Sequence, residues 1–204
     1  MRIARSSAPL RLAAATGAAF AVAVLPATAS AAPPAPAPVP VPDLDLTSYL
    51  GDWHQLAAIP APFSLNCAGD TTATYTLETS GDIGVHNRCR TWSGGVDEIR
   101  GTATVTDPTT NAQLHVSFPS VPGQDQRNGA PNYIVTALGP DYAWALVTDP
   151  TRLSGFVLSR TPSLDAATWT AIDTAITTTG QNTCVYLTTP TTGGRTDRTP
   201  LCAR

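Results

Sequence analysis

Through the middle of the chain, apolar and polar residues alternate. Ala73, Tyr75 and Leu77 are interleaved with Thr72, Thr74 and Thr76, and Leu114, Val116 and Phe118 with Gln113, His115 and Ser117. Strict alternation marks half-buried strands, and Thr, Val and Tyr suit a pleated surface. Runs of this kind predict eight strands at 51–57, 71–78, 83–90, 96–105, 112–118, 132–138, 142–147 and 155–160. Ser80-Gly81-Asp82, Asp107-Pro108 and Gly139-Pro140-Asp141 are tight-turn signals. Longer connections fall at 58–70, 119–131 and 148–154. Short and long connections therefore alternate. In an up-and-down antiparallel barrel this puts the tight turns at one end and the long loops at the other. The expected fold is all-β with one α-helix: an eight-stranded antiparallel β-barrel, closed at one end and open at the other. Eight strands leave an interior able to hold one small ligand.

The period changes after residue 160. Thr161 is a good helix cap, Pro162 suits a first helical position, and Leu164, Ile172 and Ile176 recur at multiples of four. With Gly180 as the stop, the pattern predicts a helix over 162–179, packed outside the barrel. A strand-like run, Cys184–Thr188, and a polar tail at 191–204 follow. The barrel domain is expected over 43–190.

The first 31 residues carry Arg2, Arg5 and Arg11, an apolar run from Leu12 to Leu25, and small residues at Ala27, Ala29 and Ala31. This is the pattern of a secretory signal cleaved after Ala31. Residues 32–42 alternate Pro with Ala and Val, which favours an extended polyproline spacer. No Cys stands near the cleavage pattern to accept a lipid anchor, so a released, secreted, monomeric protein without a stable membrane anchor is expected.

Charge narrows the partners. The chain has 204 residues and a formal charge of −3. Beyond residue 31, nine arginines face fifteen acids, a balance of −6, and there is no Lys. An acidic body argues against nucleic acid as a partner. Cys67, Cys89, Cys184 and Cys202 are even in number and follow an export pattern, which predicts two disulfides. Cys67 lies in the first long loop, and Cys89 ends a strand running from closed to open end. Placement by ends thus favours Cys67–Cys89, leaving Cys184–Cys202 to close the tail. No metal or cofactor is expected: there is no C-x₂-C pair, and His86 beside Cys89 has too few companions. No G-x-S-x-G elbow, phosphate loop or dinucleotide fingerprint occurs, so no catalytic residue is assigned and the protein is read as a non-enzyme.

Three motifs meet at the closed end: Gly51-Asp52-Trp53 at the head of the first strand, Pro140-Asp141-Tyr142 before the seventh, and Ser159-Arg160 at the end of the eighth. The direction of the strands brings Arg160 to Trp53, where a guanidinium can stack on an indole. Together with D-T-T-A-T-Y-T-L (70–77), V-H-N-R-C (85–89), 132–147 and V-L-S-R-T-P-S-L-D (157–165), these motifs resemble the bacterial lipocalins of the calycin superfamily related to apolipoprotein D. The resemblance implies a calyx that binds and carries a small hydrophobic ligand such as a fatty acid or lysophospholipid. Its signature residues here are Gly51, Trp53, Asp141, Tyr142 and Arg160. Apolipoprotein D-like relatives also imply a rival disulfide from the first loop to the C-terminal segment, as Cys67–Cys202 would be. Where the family usually continues with Tyr-Glu, this chain has His54-Gln55.

Inward parity propagated from Trp53 gives the candidate cavity residues. They are Gln55 and Ala57 on the first strand, Ala73, Tyr75 and Leu77 on the second, and Val85 and Asn87 on the third. Leu114, Val116 and Phe118 follow on the fifth, with Tyr133, Val135 and Ala137 on the sixth. Asn87 and Tyr133 are candidates to orient a polar head, with Arg90 at the rim. A second reading is an extracellular interaction module whose open-end loops bind a protein or an envelope component.

Overall fold

Every strand the alternation predicts is present in the computed structural model of the protein, which describes residues 36–204. The expected export signal at 1–31, and the start of the Pro-rich stretch, lie outside the described residues. The strands are β1 (Gly51–Ala58), β2 (Cys67–Leu77), β3 (Ile83–Thr91), β4 (Val96–Val105), β5 (Gln113–Ser117), β6 (Tyr133–Leu138), β7 (Trp144–Thr148) and β8 (Gly155–Ser159). All pair antiparallel with their sequence neighbours, and β1 pairs with both β2 and β8. The sheet therefore closes into a barrel with no free edge among these eight strands.

Two packed layers follow from the pleat. Inside, Trp53, Tyr75, Val85, Leu114, Tyr133, Val147 and Leu158 belong to one buried cluster. Outside, helix α2 (Ala166–Thr178) lays Trp169, Ile172 and Ile176 on Leu56, Leu146 and Val157. The helix starts later than Thr161 and Pro162 suggest. Asp165 is its cap and accepts from the Thr168 amide at 2.7 Å. Leu164, just before that cap, joins the outer cluster with Trp169, as in a hydrophobic staple. A cap four residues further along wins because it lets Leu164 pack on the barrel.

Three features depart from what the sequence pattern predicts. A single helical turn, α1 (Leu46–Tyr49), precedes β1 and is capped by Asp45. The strand-like run after α2 resolves into a 3-10 turn at Thr183–Val185 and a two-residue strand, β9 (Leu187–Thr188). Over its described part, the Pro-rich stretch is docked rather than a free spacer. Pro38 is buried, the Val41 amide donates to the Val135 carbonyl at 2.9 Å, and Arg152 donates to the Pro36 carbonyl.

Candidate functional site

The floor of the barrel is built by the closed-end motifs. Gly51 has φ +92°, a left-handed conformation that glycine adopts without strain, and it turns the chain from α1 into β1. Trp53 is fully buried, and its indole N–H donates to the Tyr49 carbonyl at 2.9 Å. Arg160 lies over the indole ring, 3.7 Å from its centroid. Its guanidinium donates to the carbonyls of Asp52, Ser48 and Leu50, each at 2.8 Å. Asp141 and Tyr142 both have positive φ in the turn before β7, and the Tyr142 hydroxyl accepts from the Asp45 amide at 2.9 Å. The signature residues thus meet at one end, where they fix α1 beneath the barrel.

Above Trp53 sits a cluster of three phenols. The hydroxyls of Tyr49 and Tyr133 are 2.6 Å apart, and those of Tyr75 and Tyr133 are 3.0 Å apart. The Tyr49 and Tyr75 rings stack with centroids 5.6 Å apart, and Tyr133 meets Tyr75 edge-on. Burial pushes all three phenols up, Tyr75 to about 12 and the others well above their ordinary value. All three are neutral hydrogen-bonding groups at physiological pH.

A cavity of about 630 Å³ opens upward from these phenols. Gln55, Ala73, Tyr75, Val85, Asn87, Leu114, Val116, Phe118 and Tyr133 line it, as parity predicts. Four predicted residues do not. Ala57 and Ala137 belong to the outer layer under α2, because β1 and β6 each carry a bulge that reverses the alternation. Gln55 pairs with Leu158 but Ala57 with Val157, and Val135 pairs with Val147 but Ala137 with Leu146. Leu77 lies at the end of β2, 63% exposed, and its pairing partner Ile83 lines the cavity instead. Val135 is buried in the inner cluster without reaching the void.

Sequence reasoning missed Leu46, Tyr49, Ile99, Ala103, Phe156 and Leu158, which also line the cavity. On β4 and β8 the same parity rule would have found the last four. Leu46 and Tyr49 carry no such signal, because a four-residue helix is too short to show a period.

The mouth is built by the C-terminal tail. Near the open end β1 and β2 part, and residues 187–190 fill the gap. Ala57 and Ala58 pair with β9, the Thr189 amide donates to the Leu56 carbonyl at 2.9 Å, and the Asp70 amide donates to the Pro190 carbonyl at 2.8 Å. A side chain at Gly69 would collide with that Pro190 carbonyl. Asp70 also accepts from Arg90 at 2.8 Å and from the Thr192 amide at 2.6 Å. Partial burial pushes its carboxyl up, but these bonds outweigh it and hold the group below its ordinary value. Arg90, expected at the rim, is there as the partner of Asp70 and is not a cavity residue.

Disulfides join Cys67 to Cys89 across β2 and β3, and Cys184 to Cys202 in the tail. These are the pairs that placement by ends favours, and in the structure Cys67 bonds Cys89 rather than Cys202. His86 turns outward to Glu98 at 3.0 Å, away from the bridged Cys89. His115 also faces outward. Its ring nitrogens bond the Gln126 and Ala130 carbonyls, which folds the long 119–131 loop back along the barrel wall.

This architecture agrees with comparisons to known proteins. Residues 44–191 match the model of the Lipocalin-like domain. Temperature-induced lipocalin-1 of Arabidopsis thaliana is 36% identical over 128 residues, which is 62% of this chain and 68% of that protein. The outer membrane lipoprotein Blc of Escherichia coli K12 is 34% identical over 125 residues, 60% of this chain and 65% of Blc. Bovine apolipoprotein D is 31% identical over 120 residues, 53% and 62% of the respective chains. The chain thus spans just under two thirds of Blc and of apolipoprotein D. Among solved structures, insecticyanin from the tobacco hornworm Manduca sexta superposes with TM-score 0.57 at 20% identity, covering 74% of this chain and 82% of that one. The amine binding protein of Rhodnius prolixus, solved with tryptamine, gives TM-score 0.54 at 15% identity, covering 78% and 88%. A family model that matches most of the chain, on a closed eight-stranded calyx with its helix outside, makes this protein a member of the lipocalin family.

Proposed function

We propose that this protein binds and carries a small hydrophobic ligand in its barrel cavity, acting outside the cell as a monomeric carrier. The observation that supports this most directly is the cavity of about 630 Å³ with its largely apolar wall of Val85, Leu114, Val116, Phe118, Phe156 and Leu158. Transfer of an apolar chain into such a space is worth about 0.8 kcal/mol per CH₂. Single-chain amphiphiles are the first candidates: fatty acids, lysophospholipids and their uncharged counterparts.

The reading is of a binding protein and not an enzyme. All four cysteines are bridged, which leaves no thiol to act as a cavity nucleophile. Two disulfides suit an oxidising compartment. No helix among the described residues is long and apolar enough to cross a membrane. The acidic balance of the chain beyond residue 31 speaks against nucleic acid as a partner.

Native mass spectrometry of the protein purified from its own source tests the proposal. A bound small molecule that leaves on denaturation is the expected result. An empty barrel that also fails to take up a fluorescent apolar probe would refute it. One observation favours the alternative of an interaction module using its open-end loops. Phe63, Leu65, Trp92 and Val96, all near that end, are 60% to 76% exposed. A protein partner held through these side chains, by a protein with an empty barrel, would support that alternative.

A further inference from the structure

The wall of the cavity carries a hydrogen-bonding imbalance. Three phenolic hydroxyls make only two bonds among themselves, so one proton of the Tyr49–Tyr133–Tyr75 cluster lacks an acceptor among the described residues. One strand away, the buried Oδ1 of Asn87 has no donor. Asn87 lines the cavity two residues along β3 from Val85, which pairs with Tyr75. Two other amide side chains of the wall, Asn132 and Gln55, are already engaged. Asn132 bonds both backbone groups of Val116, at 2.7 and 2.8 Å, and Gln55 reaches Thr189 at 3.4 Å. A buried acceptor and a buried donor left open each cost free energy that a ligand can recover.

Charge sets the second condition. The ionisable side chains on the wall, besides the neutral phenols, are Arg88, Asp97, Glu98 and Asp149. Glu98 turns outward with His86 and lies 3.6 Å from the Arg88 guanidinium, which leaves the carboxylates of Asp97 and Asp149. Arg160 lies beyond Trp53 with its N–H groups given to three backbone carbonyls. Among the described residues, a ligand carboxylate would find no free cation at the floor and would face carboxylates at the mouth. Burying an unpaired charge is heavily disfavoured.

We infer that the ligand is an uncharged apolar molecule whose single polar group both donates and accepts a hydrogen bond, as a hydroxyl or a carboxamide does. It donates to Asn87 Oδ1 and accepts from the phenol cluster. This deepens the carrier proposal and rests on it.

The test is competitive displacement of a neutral naphthylamine probe from the whole protein by dodecanol, dodecanamide and dodecanoate at neutral pH. The alcohol and the amide should displace it at concentrations at least about tenfold below that needed for the acid. In Asn87→Leu, the amide should lose about tenfold in affinity while the probe still binds, which shows the calyx intact. Dodecanoate binding as tightly as the amide would overturn the inference while leaving the carrier proposal standing. So would an Asn87→Leu variant with unchanged amide affinity. If neither the probe nor any of the three compounds binds, the carrier proposal itself fails, and this inference with it.

Discussion

The guanidinium of Arg160 lies 3.7 Å from the centroid of the Trp53 ring and holds three carbonyls of the α1–β1 corner. One side chain at the end of β8 therefore seals the bottom of the barrel and fixes the helical turn that supplies Tyr49. Arg160→Ala should destabilise the protein by about 2–4 kcal/mol, from the lost cation–π contact and three unpaired carbonyls. Arg160→Lys should recover only part of this, since an ammonium cannot stack and fork at once. Chemical denaturation of the two variants measures both effects.

Val116 lines the void, so Val116→Trp should fill part of the cavity. Uptake of the neutral naphthylamine probe should fall at least about tenfold, with stability within about 1 kcal/mol of the parent. Unchanged binding, read by fluorescence titration, would remove this position from the ligand space.

Alkaline pH should weaken the fold. Burial raises Tyr75 from 10.0 to about 12 and moves Tyr49 and Tyr133 the same way. Below the ordinary value of 10.0 both folded and unfolded chains keep these protons, and their contribution to stability is fully present. As pH rises from there, the unfolded chain loses phenolic protons that the native state retains. Stability should then fall by up to about 1.4 kcal/mol per pH unit for each of these phenols. Urea midpoints across this range should show the decline, and Tyr75→Phe should make it shallower.

The two disulfides enclose segments of 22 and 18 residues. Replacing Cys67 and Cys89 together by Ala should cost about 3 kcal/mol and loosen the mouth, where Cys67 also lines the cavity. Peptide mapping without reduction should recover 67–89 and 184–202 as linked pairs. A 67–202 peptide would contradict this geometry.

Asp165 caps α2, the helix that covers the outer layer. Asp165→Ala should lower stability by about 1 kcal/mol, measured by thermal unfolding, with little effect on probe binding.

Strand positions, strand order and the two ends of the barrel were legible because period-two alternation and turn chemistry are local. So was the meeting of Trp53 with Arg160, since strand direction alone brings β1 and β8 to the same end. Nine of the thirteen cavity candidates line the void for the same reason. The helix start was misplaced because Thr161 and Asp165 are both acceptable caps, and only packing of Leu164 on the barrel separates them.

By itself, the sequence determined which residues can alternate, turn and cap. It could not determine where alternation is interrupted. The extra residues Leu56 and Thr136 reverse the facing of Ala57 and Ala137, and those bulges exist because β1 and β6 must keep hydrogen bonds while curving around a closed barrel. The tertiary structure also decided what fills the gap between β1 and β2, and that Tyr49 completes the floor. Those contacts join residues 58 to 134 positions apart, such as Gln55 with Thr189 and Tyr75 with Tyr133, and no local pattern encodes such pairings.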